Sequence, residues 1–262
     1  MLRSGKERVS DFGRVWLELE DHLARRRNRL FITTGIIVGV IMLGLGTFIG
    51  ATGGSDAIGG ICVMLFMVTI FSSIIFFAAL GRLKKIRTKV AFAKGITDAL
   101  ADDYHPARKI HYYLDLRPYD ADDKQYWSGR SMHGNSKYKY LDRWFRQKFW
   151  LIDGTRVVVE RKADHKVRKG SLIRHKRRVY VKVYPSEKSF GAGPWQGDDD
   201  LEMMVKQAVR ASFHDPPEVL RIRRQGPRDH VGIALTQLDA PILPEEVVAL
   251  VESILLYLQM KS

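Results

Sequence analysis

The sequence predicts a membrane protein of α+β class: a two-helix transmembrane hairpin followed by a cytoplasmic α+β domain with an antiparallel sheet and flanking helices. Three observations predict it. Between Arg29 and Arg82, 52 residues carry a single charge, Asp56. From Arg108 to Tyr184 apolar and polar residues alternate with period two, the pattern of half-buried strands. From Pro244 onward, Val247, Val248, Leu250, Val251, Ile254, Leu255 and Leu258 make a helix apolar nearly all round, suited to burial on a sheet.

The chain divides into four segments. Residues 1–29 read as an amphipathic helix capped by Ser10 or Asp11, with Phe12, Val15, Trp16, Leu19 and Leu23 as its apolar stripe. Two uses stay open for it, packing on the large domain or lying in lipid headgroups. Residues 30–81 form the hairpin. Leu30–Ser55 and Ala57–Gly81 are uncharged runs of 26 and 25 residues, and about 20 apolar residues cross a bilayer. The turn at 51–56 gathers Thr52, Gly53, Gly54 and Ser55 around Asp56, which would cost roughly 3 kcal/mol at a helix centre and little in a turn. Residues 82–104 continue as a basic helical stalk, and 105–262 form the cytoplasmic domain.

Orientation follows from the flanking cations. Arg25, Arg26, Arg27 and Arg29 precede the first span, Arg82, Lys84, Lys85, Arg87 and Lys89 follow the second, and the turn has no Lys or Arg. Both termini are therefore expected in the cytoplasm of an integral plasma-membrane protein, here a bacterial inner membrane. Gly35, Gly39, Gly46 and Gly50 share one face of the first span. They predict a close helix contact, made with the second span or with another copy in a homo-oligomer. The second span has no ionisable group, so the pair reads as an anchor.

In the large domain, Ile110–Leu116 is a strand, and Lys148–Ile152 and Thr155–Glu160 flank Asp153-Gly154, a strong hairpin signal. Arg178–Tyr184 is a further strand, for a sheet of about four, and 161–178 is expected as a long basic loop. Asp198-Asp199-Asp200 caps a helix to Ser212, and Val219–Arg223 pairs with Val231–Leu235.

Charge is concentrated. Residues 106–190 hold 22 Lys+Arg against 9 Asp+Glu, whereas 191–262 hold 7 against 11; the whole chain carries +14. That asymmetry predicts an anion-binding patch at Lys166, Arg168, Lys169, Arg174, Lys176 and Arg177, for membrane lipid or an acidic protein, with nucleic acid the weaker fit. No phosphate loop, dinucleotide fingerprint, zinc-protease helix or nucleophile elbow is present, and the one cysteine, Cys62, lies in the apolar stretch. Asp102, Asp103, His105, His111 and Asp115 match no metal-ligand spacing. No catalytic residue, metal site or cofactor is predicted. The sequence points to a non-enzymatic adaptor, scaffold or sensor, the alternatives being a membrane-tethered enzyme or ligand-gated effector and an oligomeric pore or transport accessory subunit.

Overall fold

A computed structural model describes residues 2–52, 55–132, 134–186, 198–214, 217–224, 231–237 and 242–261. The elements run β1 (Leu2–Arg8), α1 (Val9–Thr52), α2 (Ser55–Ala99), β2 (Lys109–Asp115), β3 (Gln125–Arg130), β4 (Ser136–Trp150), β5 (Arg156–Arg168), β6 (Ser171–Tyr184), α3 (Asp198–Ser212), β7 (Glu218–Arg224), β8 (Val231–Gln237) and α4 (Pro244–Lys261). Two compact units emerge: Arg14–Val90, and Met1–Gly13 together with Ala91–Ser262.

The helical unit consists of the long stretches of α1 and α2. Phe31 and Phe76 meet edge to face at 5.1 Å. Trp16, Leu19, Leu23, Leu83 and Val90 are buried, while Phe31, Ile32, Ile36, Ile37, Met67, Phe71, Ile74, Ile75 and Phe77 are exposed. Among the described residues one helical stretch, Met67–Ala99, is long and apolar enough to cross a membrane. A Cβ at Gly35 or Gly39 would meet no atom within 4 Å, so both positions are open in the single chain. Gly46 and Gly50 continue the same helix.

Among the described residues the second unit is built on one antiparallel sheet of eight strands, in the order β1-β2-β4-β5-β6-β8-β7, with β3 pairing to the outer stretch of the same β4 edge that β2 occupies. The N-terminal segment differs from expectation. Leu2–Arg8 is a strand paired with Asp115–Lys109, and the helix begins at Val9 and runs unbroken to Thr52. The expected basic loop is also absent: 161–178 is a β-hairpin, turned by Lys169 and Gly170 at φ 51° and 76°. Positive φ at two successive residues is the I′ geometry that suits the strand twist. The Asp153-Gly154 hairpin forms, with Gly154 at φ 87°.

One face of the sheet is apolar. Ile110, Leu114, Phe145, Phe149, Val157, Val159, Val179, Val181, Val183, Ile233 and Leu235 are buried together with Val205 and Val209 of α3 and Val247, Leu250, Val251 and Ile254 of α4. The end of α2 belongs to this core. Phe92 packs on Trp144 and Phe145 at 5.7 and 5.5 Å, and Gln147 Nε2 donates to Thr97 Oγ1 at 3.2 Å. At Gly95 a Cβ would come within 2.8 Å of the Pro244 ring, so the approach of α2 to the start of α4 needs glycine. The C-terminal end of α2 is therefore docked on β4.

Candidate anion-binding surface

Strand register decides what the basic residues do. Directly opposed residues of antiparallel strands share a face. Across β4, β5 and β6 the rows are Arg143–Lys162–Arg178, Leu141–Asp164–Lys176, Lys139–Lys166–Arg174 and Lys137–Arg168–Ser171. A further row, Lys6–His111–Lys148–Val158–Lys182, crosses five strands on the same face. This is the face opposite the apolar core, and most of its residues are half-buried or exposed. Of the predicted patch, Lys166, Arg168, Arg174 and Lys176 lie here and Lys169 forms the hairpin turn. The register separates Arg177 from them: it pairs with Ala163 on the face bearing the helices.

Like charges directly opposite one another destabilise a sheet. Here they are tolerated with few carboxylates to offset them. Arg178 reaches Asp164 at 2.7 Å and Lys162 reaches Glu160 at 3.2 Å. Among the described residues no carboxylate pairs with Lys166, Arg168, Lys169, Arg174 or Lys176. The mutual repulsion registers in the titrating groups. Burial, then Lys6 and Lys148, hold His111 below its usual value, and burial, then Arg156, Arg146 and Lys6, lower Lys148.

Aromatic rings are interleaved with these cations, and their faces are occupied. Lys139 sits over Trp127 at 4.8 Å, Lys148 over Trp150 at 4.8 Å, Lys162 over Tyr180 at 4.6 Å and Arg156 over Tyr184 at 3.7 Å. A ring capped by its own cation offers one face fewer to a nucleobase, so the surface is poorly made for base stacking. The depression on this face, lined by Arg146, Glu160, Tyr180 and Lys182 among others, measures about 40 Å³, room for a few waters at most.

Two charged clusters serve other ends. Lys124 is buried, its Nζ 2.7 Å from Asp142 Oδ1 and 3.1 Å from Asp115 Oδ2. Arg117 grips Asp115 through Nε and a terminal nitrogen and reaches Asp123 at 2.8 Å. Burial opposes the charge on Asp115, but the hydrogen bonds from Arg117 and Lys124 outweigh it and hold the group at about 2. Asp115 thus clamps the segment before β3. Arg161, 7% exposed, lies between the rings of Phe92 and Trp144 at 4.2 and 5.2 Å. Burial, then Arg177, draw its guanidinium down to about 9, with Glu246 pulling the other way.

His105 accepts the backbone N–H of Ala107 at Nδ1, and His111 tilts on Trp150. Among the described residues no three His, Cys, Asp or Glu side chains converge to hold a metal. Sequence reasoning missed β3 with its Trp127, and the signal was weak because Gln125–Arg130 has little alternation. Among the described residues the arrangement defines an α+β protein with an eight-stranded antiparallel sheet, four α-helices and one stretch apolar enough to span a membrane. No family model, no curated protein and no solved structure matches the chain.

Proposed function

We propose that the protein is a non-enzymatic, two-pass membrane protein whose cytoplasmic sheet acts as an adaptor or scaffold, holding an anionic partner at the membrane surface. The observation that carries this reading is the set of cross-strand cation rows on the face opposite the core: among the described residues no carboxylate stands opposite Lys166, Arg168 or Arg174, and Asp164, opposite Lys176, is engaged by Arg178. Such an arrangement lowers its own repulsion when an anionic surface covers it.

Topology supports the two spans. Because β1 pairs with β2, residues 8 and 109 are neighbours, and the chain between them must start and finish on one side of any bilayer. It therefore crosses an even number of times. The Met67–Ala99 helix supplies one crossing, and the exposed Phe31, Ile32, Ile36 and Ile37 of α1 suit the other. The cations at 25–29 and 82–89 favour the cytoplasm for both ends.

The test uses the full chain in nanodiscs of neutral lipid, offered vesicles containing phosphatidylglycerol or, separately, soluble polyglutamate. Salt-sensitive binding to at least one is expected, lost in Lys166→Glu/Arg174→Glu/Lys176→Glu with the fold retained by circular dichroism. Binding to neither probe, or undiminished binding by the triple variant, would refute the reading.

A further inference from the structure

The far end of the sheet combines two features that the rows alone do not explain. The β3–β4 loop closes through Ser131 N–H donating to the Asn135 carbonyl at 2.8 Å, and it presents Met132 fully exposed. Beside it stands the β5–β6 turn. Lys137 pairs with Arg168, and the Lys169 N–H donates to the Ser136 carbonyl at 3.3 Å, so the two connections are bound side by side. Just after that turn Leu172 and Ile173 are 43% and 50% exposed, Ile173 standing where the register shifts.

Lys137, Lys139, Lys166, Arg168 and Arg174 flank this tip on the open face and Arg130 on the other, where Leu172 pairs with Val167, with Lys169 at the apex. Neither 130–140 nor 165–178 contains an Asp or Glu. The nearest carboxylate on the open face, Asp164, is already engaged by Arg178.

We propose that this tip inserts Met132, Leu172 and Ile173 into the interface of an anionic bilayer, with the surrounding cations on the lipid phosphates. The inference rests on the adaptor reading and names the partner of its basic face. Protruding apolar side chains ringed by cations match a bilayer at both levels, hydrocarbon for the apex and anionic headgroups for its collar. The long stems of Lys and Arg let the charges stay at headgroup depth while the apex goes deeper. An acidic protein would match the collar but gives no reason for three separate apolar projections on two turns.

The experiment places a single thiol at the apex, Ile173→Cys in a Cys62→Ser background, carrying an environment-sensitive fluorophore, with Lys182→Cys on the same face as reference. The full chain in neutral nanodiscs is mixed with phosphatidylglycerol vesicles that contain a quencher-bearing lipid. A blue shift and quenching are expected at 173 and not at 182, and neither with neutral vesicles. Arg168→Gln/Arg174→Gln should weaken vesicle binding about 25-fold, from roughly five-fold per cation. Met132→Asp should reduce quenching at 173 while leaving the salt dependence of binding in place. Vesicle binding without quenching at 173 overturns insertion and leaves the adaptor reading standing. Binding of polyglutamate but not of vesicles also overturns it, assigning the basic face to an acidic protein. Binding of neither probe removes both.

Discussion

Replacing Lys124 by methionine isolates the energetics of the clamp between β2, β3 and β4. The Nζ lies 2.7 and 3.1 Å from carboxylates of Asp142 and Asp115, whose side chains are 4% and 1% exposed. Lys124→Met keeps most of the volume but removes the ammonium from both carboxylates, Asp115 keeping its two bonds from Arg117. Removing one partner of a buried ion cluster costs about 3–5 kcal/mol. In a domain of this size each kcal/mol shifts the midpoint by roughly 2–4 °C, so a fall of about 10 °C is expected.

The pH dependence carries the sign of the effect. In the parent chain Asp115 sits at about 2 rather than 3.8, a contribution of about 2.5 kcal/mol that is complete above pH 4 and lost as the pH falls toward 2. In the variant Asp115 loses the lowering that Lys124 supplies, so less stability is lost on acidification and the gap from the parent narrows as the pH falls into the carboxylate range. Thermal melts of the full chain in neutral detergent, followed by near-ultraviolet circular dichroism at pH 7 and pH 5, measure both quantities. A loss below about 1 kcal/mol at pH 7, or a gap that widens at pH 5, would refute the reasoning.

Two further outcomes are expected. Arg161→Met should change stability by no more than about 1 kcal/mol at pH 7, since a buried cation held by rings gains little over an apolar side chain of similar length. The folded-state guanidinium at about 9 is depressed from 12.5, so its charge is penalised below pH 9 and the penalty fades above it. The parent should therefore gain on Arg161→Met in melts taken from pH 9 upward, and a flat difference would contradict this. Gly95→Ala should destabilise by about 1–2 kcal/mol despite alanine's better helix propensity, because its Cβ meets the Pro244 ring. Chemical denaturation reads this directly, and a stabilised variant would show that the contact yields.

The legible parts of the fold were those where one residue type repeats at the right period. Val157, Val159, Val179, Val181 and Val183 alternate cleanly, and Asp153-Gly154 punctuates them, so that hairpin could be read from sequence. The outer half of the same two strands was read as loop because its inward positions are Arg161, Ala163, His165 and His175 in place of aliphatics. There the alternation is carried by a ring stack, His165 on Tyr119 at 4.2 Å and on His175 at 4.4 Å, which hydropathy does not record. Lys169-Gly170 was the available turn signal. The basic residues were visible as a run, but their division between two faces needed the register, which alone sets Arg177 apart from Lys176. Strand β1 had no local signature: Ser4-Gly5-Lys6-Glu7 is polar throughout and is held by an edge that the rest of the chain supplies.

That edge strand is made before its partner, Lys109–Asp115, and can be seated only once the partner follows about a hundred residues later. Until β1 is seated, β2 has an unpaired flank, the kind of surface that recruits foreign strands. A free chain would seal it slowly, at an entropic cost that grows with the logarithm of the separation. The intervening helices change that arithmetic. Because α1 and α2 make up nearly all of the interval, the seam between β1 and β2 closes across two stiff helices and not across a free chain. Formation of the two helices and completion of the sheet would then be one coupled step, with a defect in either leaving the other unfinished.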